Sequence, residues 1–244
     1  MLYIYNKMSK ILNLCDSNSW KKHINNVELT TINYPVDKTK SNNKSDIEFN
    51  LNTMNKLPIE DETFDIVYSS HTLEHIREEY LENIIQNIYR ILKPGGLFRI
   101  IVPDFLKSIN ELKNNNFDFF KKINHEVGTG TSNNIIDRFS RFNISYRINN
   151  VSMGPKLDKN DINLIMNSEP ENIRKLMLTK IPKNADYYGH VNIIEKKYLI
   201  QLLNKCMFKN IKELNFTESS SPICKNNNMF NNRPNCSIYV ECIK

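Results

Sequence analysis

Residues 57–104 read LPIEDETFDIVYSSHTLEHIREEYLENIIQNIYRILKPGGLFRIIVPD, and this stretch decides the fold. A polar turn leads into a short apolar run, Phe64–Tyr68. A loop carrying Ser69, Ser70 and His71 follows, then a long amphipathic segment. There Tyr80, Ile84, Ile88 and Ile91 recur at spacings of three and four, widened by Leu81, Ile85 and Leu92. That is the stripe of a helix packed on a core. Glu78 and Glu79 near its start, with Arg90 and Lys93 near its end, suit the helix dipole. Pro94 cannot continue the helix, and Gly95 or Gly96 is expected to take a left-handed cap. A second apolar run, Leu97–Val102, closes on Pro103-Asp104. Strand, loop, helix, turn and strand make one βαβ unit with a parallel crossover. Ligands of such sheets sit beyond the carboxyl ends of the strands, which singles out Ser69, Ser70, His71 and Asp104.

Upstream, Lys10–Leu14 reads as a short buried strand and Val27–Asn33, rich in β-branched residues, as a second. Asp46–Leu51 alternates and reads as a third. Cys15 to Ser19 is turn chemistry, and Trp20–Asn26 is a short helix or an extended crossing. Downstream, Phe105–Tyr188 changes character. It is polar and helix-prone, with expected helices at Phe105–Lys113, Ile135–Phe142, Lys159–Met166 and Glu171–Leu178. We read residues 105–188 as a helical insertion over the carboxyl edge of the sheet, and residues 1–104 with 189–244 as the α/β core. Regular patterns return with a helix at Glu195–Phe208, then strands at Ile211–Phe216 and Ser237–Ile243, the last expected to pair antiparallel.

The bulk properties narrow the function classes. The 244 residues suit one α/β domain with an insertion, and hydrophobic residues at 40% supply a core. A net charge of +6 comes from scattered lysines rather than a basic stripe beside aromatics, so it reads as solvated surface. Five cysteines without metal or disulfide spacing fit a reduced, cytoplasmic protein. No stretch has transmembrane length or the form of a signal peptide. No metal-ligand spacing, nucleophile elbow or phosphate loop is present.

The run LP-x-x-D-x-x-FD-x-V-x-S-S-H-x-LEH, followed by L-K-P-G-G-x-x-x-I-x-V-P-D, resembles class I S-adenosylmethionine-dependent methyltransferases. Bacterial-type members associated with glycan and sugar-nucleotide biosynthesis are the nearest likeness. Gly189-His190, Cys206-Met207-Phe208 and the final SIYVECIK extend it. The resemblance implies a Rossmann-like sandwich with a final antiparallel hairpin. It also implies S-adenosylmethionine as cofactor and a methyl acceptor that is a sugar, sugar nucleotide or glycan precursor, in a protein that is free or paired as a homo- or hetero-dimer. The first motif departs from the family. Where relatives carry LNLGCG, this chain has Leu12-Asn13-Leu14-Cys15-Asp16-Ser17, and no glycine occurs in the first 94 residues.

Mapped residue by residue, the resemblance puts the cofactor on Asn13, Cys15, Asp16, Ser17, Glu28, Asn50, Leu51, Ser69 and Ser70. Glu28 stands for the acid that ends the second strand and holds the ribose, and Asn50 for the residue near the adenine. His71, Asp104 and His190 are the catalytic candidates. His71 is a base near the methyl group or an anchor of its loop. Asp104 faces the acceptor or caps the next helix. His190 reaches the pocket from the insertion's return or lies on the surface. His75 holds the loop, and Glu74 orients a histidine or begins a helix. A second reading keeps the fold without catalysis, as a binding or scaffold partner. Methylation of RNA is a third, resting on charge alone.

Overall fold

A computed structural model describes residues 8–14, 27–33, 45–127, 129–148, 151–183, 189–225 and 228–244. The N-terminal part holds strands β1 (Ser9–Leu14), β2 (Val27–Asn33), β3 (Ile47–Glu48) and β4 (Phe64–Ser70), then helix α1 (Glu78–Ile91) and strand β5 (Leu92–Pro103). Helices α2 (Phe105–Lys113), α3 (Phe117–Lys122), α4 (Asn124–Val127) and α5 (Ile135–Asn143) come next. The antiparallel strands β6 (Tyr146–Ile148) and β7 (Val151–Met153) precede α6 (Lys159–Asn167) and α7 (Pro170–Thr179). The chain continues through α8 (Lys196–Lys205), β8 (Lys209–Leu214), α9 (Pro222–Lys225) and β9 (Ser237–Ile243).

Seven of these strands form one sheet in the order β3-β2-β1-β4-β5-β9-β8. The β3-β2-β1-β4-β5 run is parallel, and β9 lies antiparallel between β5 and β8. This is the Rossmann-like α/β architecture expected from the βαβ unit and the closing hairpin. The strands β1, β4, β5 and β9 are buried along most of their length, the edge strand β8 is largely exposed, and side chains alternate between the two faces. Leu12, Leu14, Val67, Phe98, Ile100, Val102 and Val240 pack with α1 and α8. Ile11, Ile66, Tyr68, Ile101 and Tyr239 pack with Cys224 and Phe230 on the other side.

Helix α1 is set by its stripe. Leu81, Ile84, Ile85, Ile88 and Ile91 are all fully buried. Each such burial contributes about 1.5–3 kcal/mol, against about 0.3–1 kcal/mol for charges placed well on the dipole. The packing therefore outweighs the charge pattern. The helix ends differently from the expectation. Leu92 follows it in extended backbone, and no left-handed cap forms there. Instead Lys93–Gly96 bulges out of the β4–β5 ladder, where the register jumps between Phe64 and Ile66. Gly95 takes the positive φ of 76° inside that bulge. Its N–H donates to the Lys244 carbonyl, and Lys244 N–H donates to Gly96. The third strand is shorter than expected, Ile47–Glu48 alone, because Asp46 turns back to hydrogen-bond Thr31. The segment Trp20–Asn26 lies outside the described residues.

The region between β5 and α8 forms helices at the expected places and adds the β6–β7 pair. Phe105, Phe120, Phe139, Phe142, Ile165, Ile173 and Met177 gather there in a separate apolar cluster, joined by Ile193 and Cys236. Among the described residues, no helix is long and apolar enough to cross a membrane.

One buried polar network was not foreseen. Arg99 on β5 is fully buried. Its guanidinium donates to Glu241 at 2.7 Å, to Asn231 at 2.6 Å and to the carbonyls of Phe230 and Glu218. Glu241 also accepts from Ser219 and Ser220. Burial alone would raise the Glu241 pKa, but the Ser219 and Ser220 donors and Arg99 outweigh it and hold the carboxyl below its ordinary range. A folded-state pKa depressed in this way contributes stability above the unfolded value of 4.5, and that contribution is lost as pH falls below it. Glu241→Gln leaves Arg99 as an uncompensated buried charge. It is expected to cost about 3–5 kcal/mol at neutral pH in urea unfolding and to flatten the acid-side loss of stability. A cost below about 1 kcal/mol would show that the network does not brace the 218–231 segment.

Candidate functional site

The parallel strands end together at one edge. Leu14 of β1 lies in register with Ser69 of β4, and Ser70 with Ile101 of β5. Beyond that edge the chain makes a tight turn. His71 has a φ of 50°, an uncommon conformation for a side-chain-bearing residue. It is held there by its N–H donating to the Ile101 carbonyl. Thr72 donates its hydroxyl to the Leu14 carbonyl, tying the turn to β1. Leu73–His75 then forms one 3₁₀ turn before α1.

Against this turn packs the segment entering α8. The Glu74 carbonyl accepts from both Val191 and Asn192 N–H, and Asn192 donates its side-chain amide to the Ile76 carbonyl. The insertion joins from above. Arg174 of α7 donates to the Ile193 carbonyl and to Glu78 at 2.9 Å. The Phe142 carbonyl at the end of α5 receives a 2.8 Å bond from His190 Nδ1. Gly189 is required by this approach: a β-carbon there would lie 1.8 Å from the Ser145 carbonyl oxygen.

Four titratable side chains meet in the interior of this junction. Glu74 is 1% exposed. His71 Nδ1 lies 3.1 Å and His190 Nε2 3.9 Å from Glu74 Oε1. His75 stacks edge-on against His190 with ring centroids 5.1 Å apart. His75 bonds Gly189 O through Nδ1 at 2.9 Å, and His71 bonds Ser237 Oγ through Nε2 at 2.8 Å. Neither Glu74 oxygen has a well-directed hydrogen bond, despite the short approach of His71. Burial would raise Glu74, yet His71 first, then His75 and His190, keep it low, at about 2. The same burial pushes His71 and His190 below the ordinary histidine range, His190 to about 4. The carboxylate asks for a positive neighbour, and burial disfavours that charge on the imidazoles.

The remaining candidates are placed as follows. Ser69 is fully buried and its hydroxyl has no hydrogen-bond partner among the described residues. Ser70 bonds Asn232 at 3.0 Å, and Asn13 is buried within β1. Asn50 folds back to accept from Asn52 N–H, while Leu51 belongs to the core under α1. Cys15, Asp16 and Ser17 lie outside the described residues. Glu28 does not join the others. It is the second residue of β2, paired with Lys10 at 3.4 Å near the opposite edge of the sheet. Five residues of strand, roughly 16 Å, separate it from the carboxyl end. The residue that ends β2 is Asn33, with Glu48 of β3 beside it in register. The resemblance assigns Glu28 to the acid that ends the second strand, but its place is the strand's beginning. Counting from the first residue of the strand would have excluded it.

Asp104 caps α2, its Oδ1 accepting from Lys107 N–H at 2.9 Å. It also lines a cavity of about 340 Å³ at the carboxyl edge, with Lys107, Asn110, Glu111, Lys196 and Glu213. Burial raises its pKa, opposed by the Lys107 N–H. His71 and His190 do not line that cavity. His190 is buried rather than on the surface, and His71 is engaged on both sides by Ser237 and Glu74. The geometry supports anchoring by both histidines rather than contact with an acceptor in that cavity.

Residues 10–100 match the family model described as a methyltransferase domain. A sterol 4-C-methyltransferase from Caenorhabditis elegans is 39% identical over 70 residues, which are 29% of this chain and 20% of that protein. The chain thus spans about a fifth of the curated relative it matches. An S-adenosylmethionine-dependent methyltransferase structure from Archaeoglobus fulgidus covers 98% of this chain and 88% of its own, at 13% identity and a TM-score of 0.47. One from Mesorhizobium loti covers 98% and 93%, at 13% identity and a TM-score of 0.46.

The Gly189 approach gives a direct test of the junction. Gly189→Ala must move the Ser145 backbone or its own, and is expected to cost at least about 2 kcal/mol in chemical denaturation. An unchanged midpoint would mean that the two segments do not meet this closely.

Proposed function

We propose that the methyltransferase domain formed by residues 10–100 works here within a whole methyltransferase. It transfers the methyl group of S-adenosylmethionine to a hydroxyl or amine of a small polar molecule, a sugar, sugar nucleotide or glycan precursor. The observation that carries this reading is the match of residues 10–100 to the methyltransferase domain, which takes in β1 to β4 and most of β5. The chain's own residues fit the donor at one point in particular. Ser69 offers a buried, unpaired hydroxyl beside the end of β1, where a polar ligand group would satisfy it. Asn13 and Ser70 flank it. Asn33 and Glu48, rather than Glu28, stand where ribose hydroxyls would be held. The donor supplies an electrophilic methyl on a sulfonium. The protein's task is to align acceptor and donor and to exclude water.

The acceptor side is the cavity at Asp104. Its lining sets the polar side chains of Asp104, Lys107, Asn110, Glu111, Lys196 and Glu213 beside Phe105, Leu106 and Ile238, which offers hydrogen bonds to hydroxyls and apolar surface to the carbon face of a sugar ring. Asp104, with its raised pKa, is the group there placed to take a proton from an acceptor hydroxyl. Residues 105–188 act as a cap over this edge.

Cys15 and Ser17, which replace the glycines of the family's first turn, favour one alternative. In it the fold is kept as a non-catalytic partner.

Calorimetric titration with S-adenosylhomocysteine separates the two. Binding in the micromolar range is expected, weakened about tenfold by Ser69→Val, which removes one hydrogen bond of about 1.4 kcal/mol. Absence of binding at about 1 mM ligand would overturn the enzyme reading and favour the inactive partner. Asp104→Asn retains the helix cap, because asparagine caps as well as aspartate. It is expected to lower kcat about 10²-fold or more with the melting temperature unchanged. Full turnover in that variant would remove Asp104 as base.

A further inference from the structure

We propose that Glu74, His75 and His190 form a binding site for one divalent transition-metal ion of the zinc class. The site would fasten the turn after β4 to the segment entering α8. It is independent of methyl transfer, and its test does not read activity.

The argument starts from where the protons are. His75 Nδ1 lies 2.9 Å from the Gly189 carbonyl, and His190 Nδ1 lies 2.8 Å from the Phe142 carbonyl. A carbonyl oxygen only accepts, so each ring carries its proton on Nδ1. Each Nε2 is then left with a lone pair. His190 Nε2 faces Glu74 Oε1 at 3.9 Å. The ligand atoms of Glu74, His75 and His190 all lie within 4.8 Å of one another. Three acceptors thus converge, and the carboxylate among them is buried with both oxygens lacking a hydrogen bond. Left alone, that arrangement is repulsive. Its depth makes the missing charge expensive, since a buried carboxylate without a partner costs several kcal/mol.

A cation at the centre resolves all three atoms at once. Imidazole nitrogens donating their other N–H to a backbone carbonyl are the usual ligand arrangement for zinc and its neighbours. Two nitrogens and one carboxylate oxygen leave a fourth position open. A cavity of about 10 Å³ touches Glu74 and is lined also by Asn143, Asn192 and the apolar Phe105, Ile193 and Ile194; His75 and His190 do not border it. Ligand atoms around a tetrahedral zinc stand about 3.4 Å apart, so the trio needs only a modest contraction. His71 stands beside the trio, its Nδ1 3.1 Å from Glu74 Oε1 and its Nε2 2.8 Å from Ser237 Oγ. Half-buried His75 gives the ion its route inward.

The test uses the untagged full chain, stripped with chelator and titrated with Zn²⁺ by calorimetry and with Co²⁺ by absorption. Expected are one equivalent of Zn²⁺, a cobalt ligand-field spectrum of low coordination number, and a raised melting temperature that chelator reverses. Mg²⁺, which prefers oxygen ligands, is expected to compete poorly. His75→Gln and Glu74→Gln are expected to weaken Zn²⁺ about 100-fold or more. His75 is the least buried of the three, so its variant keeps the fold. Should Glu74→Gln not fold, the wild-type cobalt spectrum and His75→Gln decide the matter. Absence of a stoichiometric metal in the wild type, or one retained with unchanged affinity by His75→Gln, would overturn the proposal.

Discussion

The carboxyl edge depends on one contact between two stretches far apart in sequence. The Glu74 carbonyl takes two N–H groups from the chain at Val191 and Asn192, and the opposing backbone comes so close at Gly189 that no β-carbon fits. The turn after β4, the entry to α8, the end of α5 and Arg174 of α7 all meet at this seam. On one side it fixes the turn that terminates β4, with His71 in a left-handed conformation. On the other it fixes the approach to α8, whose first residue lines the cavity with Asp104. Through Phe142 and Arg174 it also anchors the insertion to the sheet. Loosening it would let the turn, the insertion and the cavity wall move relative to one another, whereas each strand of the sheet would keep its partners.

Two kinds of polar burial serve the molecule differently. Arg99 and Glu241 are fully answered by each other and by neighbouring hydroxyls, amides and carbonyls. That network is a brace, with no group left over for a ligand. At Glu74 and at Ser69 the balance is incomplete. Native proteins leave few buried groups without a hydrogen bond, and those few concentrate where something else binds. Ser69 and Glu74 lie on the same edge, on either side of the turn after β4, whereas a further buried group without a hydrogen bond, Arg90 Nε, lies on α1. A methyl donor would satisfy Ser69 and a cation Glu74.

Much of this architecture was legible in the sequence because it follows local periodicity. The α1 stripe, the β2 and β9 strands and the insertion's helices each depend on a few neighbouring side chains, and each appears within a residue or two of its expected place. What was not legible depends on partners distant in the chain. Lys93–Gly96 reads as a helix stop, but pairing with β4 and with Lys244 turns it into a bulge. Arg99 sits in an apolar run and gives no hint that Glu241, 142 positions away, will neutralise it. The grouping of Glu74, His75 and His190 was hidden for the same reason. Glu74 and His75 are adjacent, but His190 arrives through tertiary packing, so no spacing rule could join them. The cap formed by Asp104 was legible, since a residue that ends a strand and opens a helix is a local signal.

The position of β9 has a consequence for how the molecule is made. It is the last strand in the chain, yet it lies inside the sheet, between β5 and β8. Leu97 pairs with Ile243, and among the described residues β8 pairs with β9 alone. During synthesis, therefore, the Leu97–Val102 edge of β5 emerges long before its permanent neighbour. For that interval it is an open, strongly apolar template for strands of other chains. Closing it requires loops of well over one hundred residues, which makes the final step slow compared with formation of the helices. Solubility of the nascent protein is then decided by how quickly the edge is covered. A chaperone that shields extended apolar strands would raise the yield of this protein more than any change to its finished surface.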